Sequence, residues 1–391
     1  MKLSDMAVIS AGQGAPQGES AYGTEGVPFI KAGDLASLLA GTKESEIQHV
    51  NESVAKKHRL KIYPAGSILF AKSGMSCMKG YVYKTESPCY VVSHLAIIIP
   101  TGCDGDYLKY YFQFHKPNSL VKDAAYPSIS LADIGEMEIN LPTQVEQQKI
   151  VNELEKVTEL IALRKEQLAK LDQLVKSRFV ELFGDPVDNP KNYLVKSLQE
   201  LIDMGYITYH LDGNHGGDYP RSEEFVDSGV PYIGANSIVN GKIDFSMAKF
   251  LTAERAGKLR KGIAQNDDVL FAHNATVGPT VVLKTTEPKV ILSTSLTAYR
   301  CNQSKLLPNY LKAYMQSDGF VRQYSGEMKQ TTRNQVPITV QKRYLFLVPP
   351  IVEQEQFAAF VEQTDKSKLA IQQSIEKLEL LKKSLMQEYF G

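Results

Sequence analysis

This chain repeats itself, which restricts it to folds that hold two copies of one architecture. Pro142 to Gly184 and Pro349 to Gly391 align without a gap at a constant offset of 207, with about 13 of 43 positions identical. Both copies open on a Pro followed by a Val-Glu-Gln triplet (Val145, Glu146, Gln147; Val352, Glu353, Gln354), and both stop at Phe-Gly (Phe183, Gly184; Phe390, Gly391). The duplication continues upstream in weaker form. VPFIKAGDL from Val27 matches VPYIGANSI from Val230, GSILFA from Gly66 matches DDVLFA from Asp267, and YLK at Tyr107 recurs at Tyr310. These offsets, 203, 201 and 203, drift as loops gain and lose residues. The order is therefore domain, helix, domain, helix: residues 1–141, 142–184, 185–348 and 349–391. The second domain carries extra sequence around Tyr206 to Asp227 and a lead-in from Pro186 to Tyr193, so the N-terminal edge of the first reads as trimmed.

The length of 391 residues suits two domains of about 140–160 residues with spacers. Forty-four basic residues balance forty-four acidic ones, which argues against a protein that coats nucleic acid by bulk charge and leaves room for local basic faces. Cys77, Cys89, Cys103 and Cys301 form no CxxC pair, as expected in a reducing compartment without structural zinc. The start, with Asp5 and no apolar core, does not read as a signal peptide, and no apolar run approaches a membrane span. A cytoplasmic protein without membrane contact is expected.

Within the first repeat Ile150, Leu154, Val157, Ile161, Leu168, Leu171 and Val175 recur mainly at three- and four-residue steps; the second copy places Phe357, Val361, Ile371, Ile375, Leu378 and Leu385 at equivalent positions. No internal Gly or Pro interrupts either stretch. A helix from Glu146 to Leu182 would run about 55 Å. Matched length, register and the shared stop favour pairing of the two helices within the chain. The pairing is antiparallel, because each helix must return the chain to a domain at the opposite end. A coiled coil between chains is the alternative.

The two large domains read as α+β with curved sheet cores: short β-like runs (SILFA, GYVYK, YVVSHLAIIIP; then DVLFA, TVVLK, VILSTSLTAYR), each set followed by one helical pattern, DYLKYYFQFHK or NYLKAYMQS. Val27, Ile30, Leu69, Phe70, Leu270 and Phe271 read as core, and so does His94, which lies within an apolar run. The stretches between runs diverge. SGMSCMKGY corresponds to NATVGPT, and KDAAYPSIS to GEMKQTTRNQ, with little sequence in common. One scaffold with unlike loops is what two readers of different targets require. The candidate nucleic-acid contacts are Lys31, Lys72, Ser76 and Lys79 in the first domain. In the second they are Asn236, His273, Asn274, Lys329, Thr331, Thr332, Arg333 and Asn334. These side chains suit phosphates and base edges, although ordinary polar loop residues have the same composition.

Catalytic motifs are missing. There is no phosphate-binding GxxxxGK[ST] loop, no HExxH, no GxSxG, no Cys/His ligand cluster and no Asp/Asn-Pro-Pro-aromatic tetrapeptide. The sequence thus gives no reason to expect a catalytic residue, a metal site or a cofactor on this chain.

LPTQVEQQKI and VPPIVEQEQF resemble the proline-then-EQ entry to the spacer helices of the specificity (S) subunits of type I restriction–modification systems, the HsdS family. VPFIKAGDL, GSILFAKSG and the Phe-Gly ending fit the same family, and the resemblance runs the length of the chain. It implies a non-catalytic subunit whose two target-recognition domains each read one half of a bipartite double-stranded DNA site. It further implies that the helices set the spacing and dock two modification (M) subunits, which bind S-adenosylmethionine and methylate adenine at N6. Restriction (R) subunits would add cleavage driven by ATP and magnesium. No contact residue transfers by motif. Two alternatives stand beside this reading: the recognition subunit of another phage-defence modification system, or a coiled-coil scaffold that binds no nucleic acid.

Overall fold

The computed structural model describes residues 1–328 and 334–391. They form two compact units, residues 1–165 with 373–391 and residues 166–372. Each unit holds one large domain and part of each long helix, so the division passes through both helices.

In the first unit four strands form an antiparallel sheet in the order Ala7–Ala11, Leu95–Pro100, Ile68–Ala71, Val82–Lys84. Leu95, Ala96, Ile97 and Ile98 are fully buried, so this inner strand is an unbroken apolar run and does not alternate. A second sheet joins His49–Val50, Val27–Ile30 and Tyr90–Val91, the last two parallel. Helix Gly105–Phe114 covers the first sheet with Tyr107, Leu108, Tyr111 and Phe112. Its N-terminus is closed by Asp104 Oδ1, which accepts from the amides of Asp106 and Tyr107 at 2.8 and 2.9 Å.

The second unit repeats that order with Ile207–Asp212, Leu296–Cys301, Val269–Asn274 and Thr276–Val282. The ladders superpose at an offset of 201: Phe70 faces Ala96 as Phe271 faces Thr297, and Leu69 faces Ile97 as Leu270 faces Ala298. Its second sheet has five strands, and one of them, Phe225–Val226, comes from the extra sequence that the first domain lacks.

The run YVVSHLAIIIP is not one strand. Tyr90–Val91 and Leu95–Pro100 belong to different sheets, and the chain crosses between them at Ser93 and His94. This overturns the core reading of His94: it lies exposed in the turn, its Nδ1 2.9 Å from Ser73 Oγ. Val27 is half-buried, whereas Ile30, Leu69, Phe70, Leu270 and Phe271 are in the core.

The long helices are Gln144–Phe183 and Ile351–Phe390, 40 residues each, or about 60 Å. In the first unit Tyr389 donates to Glu153, and Lys165 lies 3.3 Å from Glu379. In the second, Lys368 lies 2.6 Å from Asp172, and Arg178 stacks 5.9 Å over Phe360. Partner numbers fall as residue numbers rise, so within each unit the helices run antiparallel. Such exposed ion pairs contribute little, and the apolar stripe carries the packing. Ile150, Leu154, Val157, Ile161, Phe357, Val361 and Ile375 are buried. Leu168, Leu171, Val175, Ile371, Leu378 and Leu385 are half-buried.

Candidate nucleic-acid interface

In the first unit the loops converge where Ile68–Ala71 ends and Leu95–Pro100 begins. Lys72 N donates to His94 O at 2.9 Å, and Lys72 O accepts from Ile129 N at 2.8 Å. Ser73 bridges Ser128, and Gly74 N donates to Pro127 O at 3.0 Å. These backbone bonds bring SGMSCMKGY against KDAAYPSIS. Lys72 and Ser76 are half-buried on this rim, and Lys79 is exposed with its ammonium 5.9 Å from the Tyr81 ring. Lys31 leaves its own strand beside the same turn, where Val92 N donates to Ile30 O at 3.0 Å. Its ammonium is already engaged, donating to Gln48 Oε1 at 2.6 Å and lying 4.1 Å over the Tyr22 ring. Met75 and Tyr126 are 70% and 82% exposed, the next residues along the pairing of Ser73 with Ser128 and Gly74 with Pro127. Sequence reading passed over them because an apolar side chain in a loop gives no polar signal.

The second unit builds the same frame. His273 N donates to Ser295 O at 3.0 Å, and His273 O accepts from Val336 N at 2.8 Å. Asn274 bridges Gln335, and Ala275 N donates to Asn334 O at 2.9 Å, which brings Asn274 and Asn334 together. Asn236 is exposed in the turn Ala235–Ser237, tied to the rim by Ala235 N donating to Ser295 Oγ at 2.8 Å. Lys329, Thr331, Thr332 and Arg333 lie outside the described residues. Ser293 and Ser295, 2.7 Å apart, are rim residues that sequence reading missed, because they sit at the sheet-to-sheet crossing concealed within VILSTSLTAYR.

His273 does not sit on the rim surface. It is 1% exposed, and its Nδ1 lies 2.8 Å from Thr297 Oγ1. A bulge between Phe271 and His273 breaks the pairing with Thr276–Val282 at this point. The ring joins a buried polar network. Gln341 Nε2 donates to Thr297 Oγ1 at 3.2 Å and to Val336 O at 3.0 Å, while Gln341 Oε1 accepts from Tyr299 at 2.6 Å and lies 3.2 Å from His210 Nε2. Burial pushes both histidines down to about 4, so both are neutral at pH 7. By the ladder registers the places of His210, Thr297 and Tyr299 are held by Ile9, Ala96 and Ile98 in the first unit. The two rims thus share their backbone and differ in what lies on and beneath it.

Among the described residues no group of three His, Cys, Asp or Glu could hold a metal ion, and no helix is long and apolar enough to cross a membrane. Cys77, next to Ser76, is buried, and burial raises its thiol above the ordinary range.

Comparison with known proteins agrees with this architecture. The chain is 27% identical over 180 residues to the type I restriction enzyme MjaIX specificity subunit of Methanocaldococcus jannaschii, an alignment spanning 44% of this chain and 40% of that protein. It is 21% identical over 338 residues to the MjaVIII specificity subunit of the same organism, covering 82% of this chain and 75% of that one. The fold matches the type I restriction-modification S subunit from M. genitalium at a TM-score of 0.58 and 14% identity, covering 100% of this chain and 95% of that one. It also matches a chain from a study of complex assembly and conformational transition of the type I R-M system, at 0.59 and 16% identity, covering 100% and 96%. The family described as "Type I restriction modification DNA specificity domain" matches twice, over residues 1–173 and 190–380. With both halves matched, the chain belongs to the type I restriction–modification DNA specificity family.

Proposed function

We propose that this chain is the sequence-specificity subunit of a type I restriction–modification complex, each large domain reading one half of a bipartite DNA site. The observation that carries this reading is the duplicated rim: identical backbone bonds at Lys72 and His273 present unlike side chains in the two units. Lysines on the rim hold phosphates, while Ser76, Asn236, Asn274 and Asn334 reach base edges. The paired helices set the distance between half-sites, as dimeric readers do by their separation. They also offer two equivalent surfaces to two copies of a methyltransferase subunit. S-adenosylmethionine, ATP and magnesium belong to the partner methyltransferase and restriction subunits, and the complex works in the cytoplasm.

The test is methylation mapping of cellular DNA after co-expression with the candidate methyltransferase subunit. Adenine methylation at a split motif, absent without this chain, is expected. Exchanging residues 185–348 for another family member's second domain should change one half-site alone. Both half-sites changing together would sink the modular account, and no stable complex with the methyltransferase would favour the scaffold reading.

A further inference from the structure

Of the repeated Val-Glu-Gln triplet, only the glutamine keeps the same partners in both copies. Val145 is 81% exposed. Glu146 accepts from Thr143 N at 2.9 Å at its own helix start, whereas Glu353 accepts from the Tyr193 hydroxyl at 2.5 Å. Gln147 and Gln354 are 3% and 0% exposed. Gln147 Oε1 accepts from Asp104 N at 2.8 Å while its Nε2 donates to Pro142 O at 2.8 Å. Gln354 Oε1 accepts from Leu307 N at 2.9 Å, and its Nε2 donates to Pro349 O at 2.9 Å and Lys305 O at 3.2 Å. Asp104 and Leu307 are the N-cap residues of Gly105–Phe114 and Pro308–Met315, the helix packed on each sheet.

Each amide therefore ties the first turn of a long helix to the first turn of its domain's own helix. A leucine would fill such a site without the desolvation cost of a buried amide. An apolar contact is non-directional, however. The amide has its acceptor against an N–H and its donor against a carbonyl, so only one orientation satisfies both ends. That makes the joint stiff in angle as well as in position. A tilt of about 10° at the joint would swing a point about 30 Å along the helix by about 5 Å. One base pair rises about 3.4 Å. The joint angle is thus as consequential for spacing as the helix length.

We propose that Gln147 and Gln354 are positioning residues that fix the angle between each reading domain and the spacer helices, and so set how strictly the complex selects the distance between half-sites. This rests on the two-part-site reading above. The experiment uses the full complex with its methyltransferase subunits and duplexes carrying the mapped spacer or one base pair more or fewer. Gln147→Met, which removes two hydrogen bonds, and Gln354→Met, which removes three, should each lower the preference for the mapped spacer by about 10-fold. The half-sites should stay unchanged, and the double variant should relax further. Gln148→Met, at the exposed neighbouring position, should leave the preference intact. If a methionine variant fails to fold, the shorter Gln147→Asn and Gln354→Asn keep an amide that cannot span both partners and carry the same expectation. An unchanged preference in a variant that still methylates overturns the proposal, as does a changed half-site. Wild-type complex that methylates no split site sinks the underlying reading of the site instead.

Discussion

Acid should loosen the second unit before the first, because burial beneath its rim holds His210 and His273 neutral. His210 and His273 are 8% and 1% exposed, and burial lowers each to about 4. An unfolded histidine titrates near about 6.5. Above that pH both states hold the ring neutral and the stability of the network is fully present. Below it the unfolded chain gains protons that the folded chain refuses, so stability falls as pH drops from about 6.5 towards 4. At pH 5 the gap is about 1.5 pH units, each worth about 1.4 kcal/mol, or about 2 kcal/mol per histidine. The two rings are linked through Gln341 and Thr297, so about 4 kcal/mol is the upper figure for the pair. Hydrogen exchange at pH 7 and pH 5, corrected for the intrinsic rates, reads each unit separately. Peptides covering 269–283 and 296–301 should lose protection, while 68–84 and 95–100 change far less. Ring-labelled histidine NMR checks the premise, since the chain has only seven histidines to assign. Titration of both rings near pH 6.5, or an equal loss in both units, would refute the argument.

Other consequences are simpler to test. Arg300 holds the fully buried Asp268 through two contacts of 2.8 Å, so Arg300→Met should cost about 3–5 kcal/mol by thermal denaturation. Adding Asp268→Asn should recover part of that loss. Phe183 packs against Tyr310 at 4.8 Å and Phe357 at 5.6 Å, so Phe183→Ala should destabilise the second unit by about 3–5 kcal/mol in hydrogen exchange. Met75→Ser with Tyr126→Ser should leave the melting transition within about 0.5 kcal/mol of wild type. It should weaken discrimination at the first half-site only, measured by methylation of single-base variants. Four residues inserted into the thinly buried middle of one long helix, near Leu163, add about 6 Å. Methylation mapping should show a changed spacer and unchanged half-sites.

Repetition made the scaffold legible. Residues that recur at a constant offset have to satisfy the same contacts twice, which exposed the long helices, their pairing stripe and the order of the strands. The rim was less legible, because its geometry depends on events a linear pattern conceals. YVVSHLAIIIP is apolar on both sides of Ser93 and His94, yet the chain changes sheets there, and hydropathy does not register which sheet a strand joins. His273 occupies the place of Lys72 on an identical backbone, but Thr297 and Gln341 draw its ring inward where Ala96 offers Lys72 no partner. Local composition cannot foresee a partner about 25 or 70 residues away. Gln147 and Gln354 were visible as repeated letters, and only the structure shows that their partners repeat as well.

The same equivalence makes a stronger demand on the molecule. What each domain offers the helices is a backbone amide for the glutamine and a repeated tyrosine for the terminal Phe: Asp104 N and Tyr107 in the first unit, Leu307 N and Tyr310 in the second. Phe390 lies 5.2 Å from Tyr107, as Phe183 lies 4.8 Å from Tyr310. Neither socket uses a rim residue, so reading and joining are carried by different side chains. A chain with residues 185–348 in both domain positions should therefore fold, because each helix end would meet a socket of the kind it already fits. Such a chain would lack the hydrogen bond between His115 Nε2 and Phe390 O, 2.8 Å long, because the residue equivalent to His115 is Asp318. Its absence costs about 1 kcal/mol. On the two-part-site reading proposed above, the duplicated chain should direct methylation to a site whose two halves are both the second half-site. A chain that folds yet methylates two unlike halves would mean the helices contribute to base recognition, and the separation of reading from joining would fail.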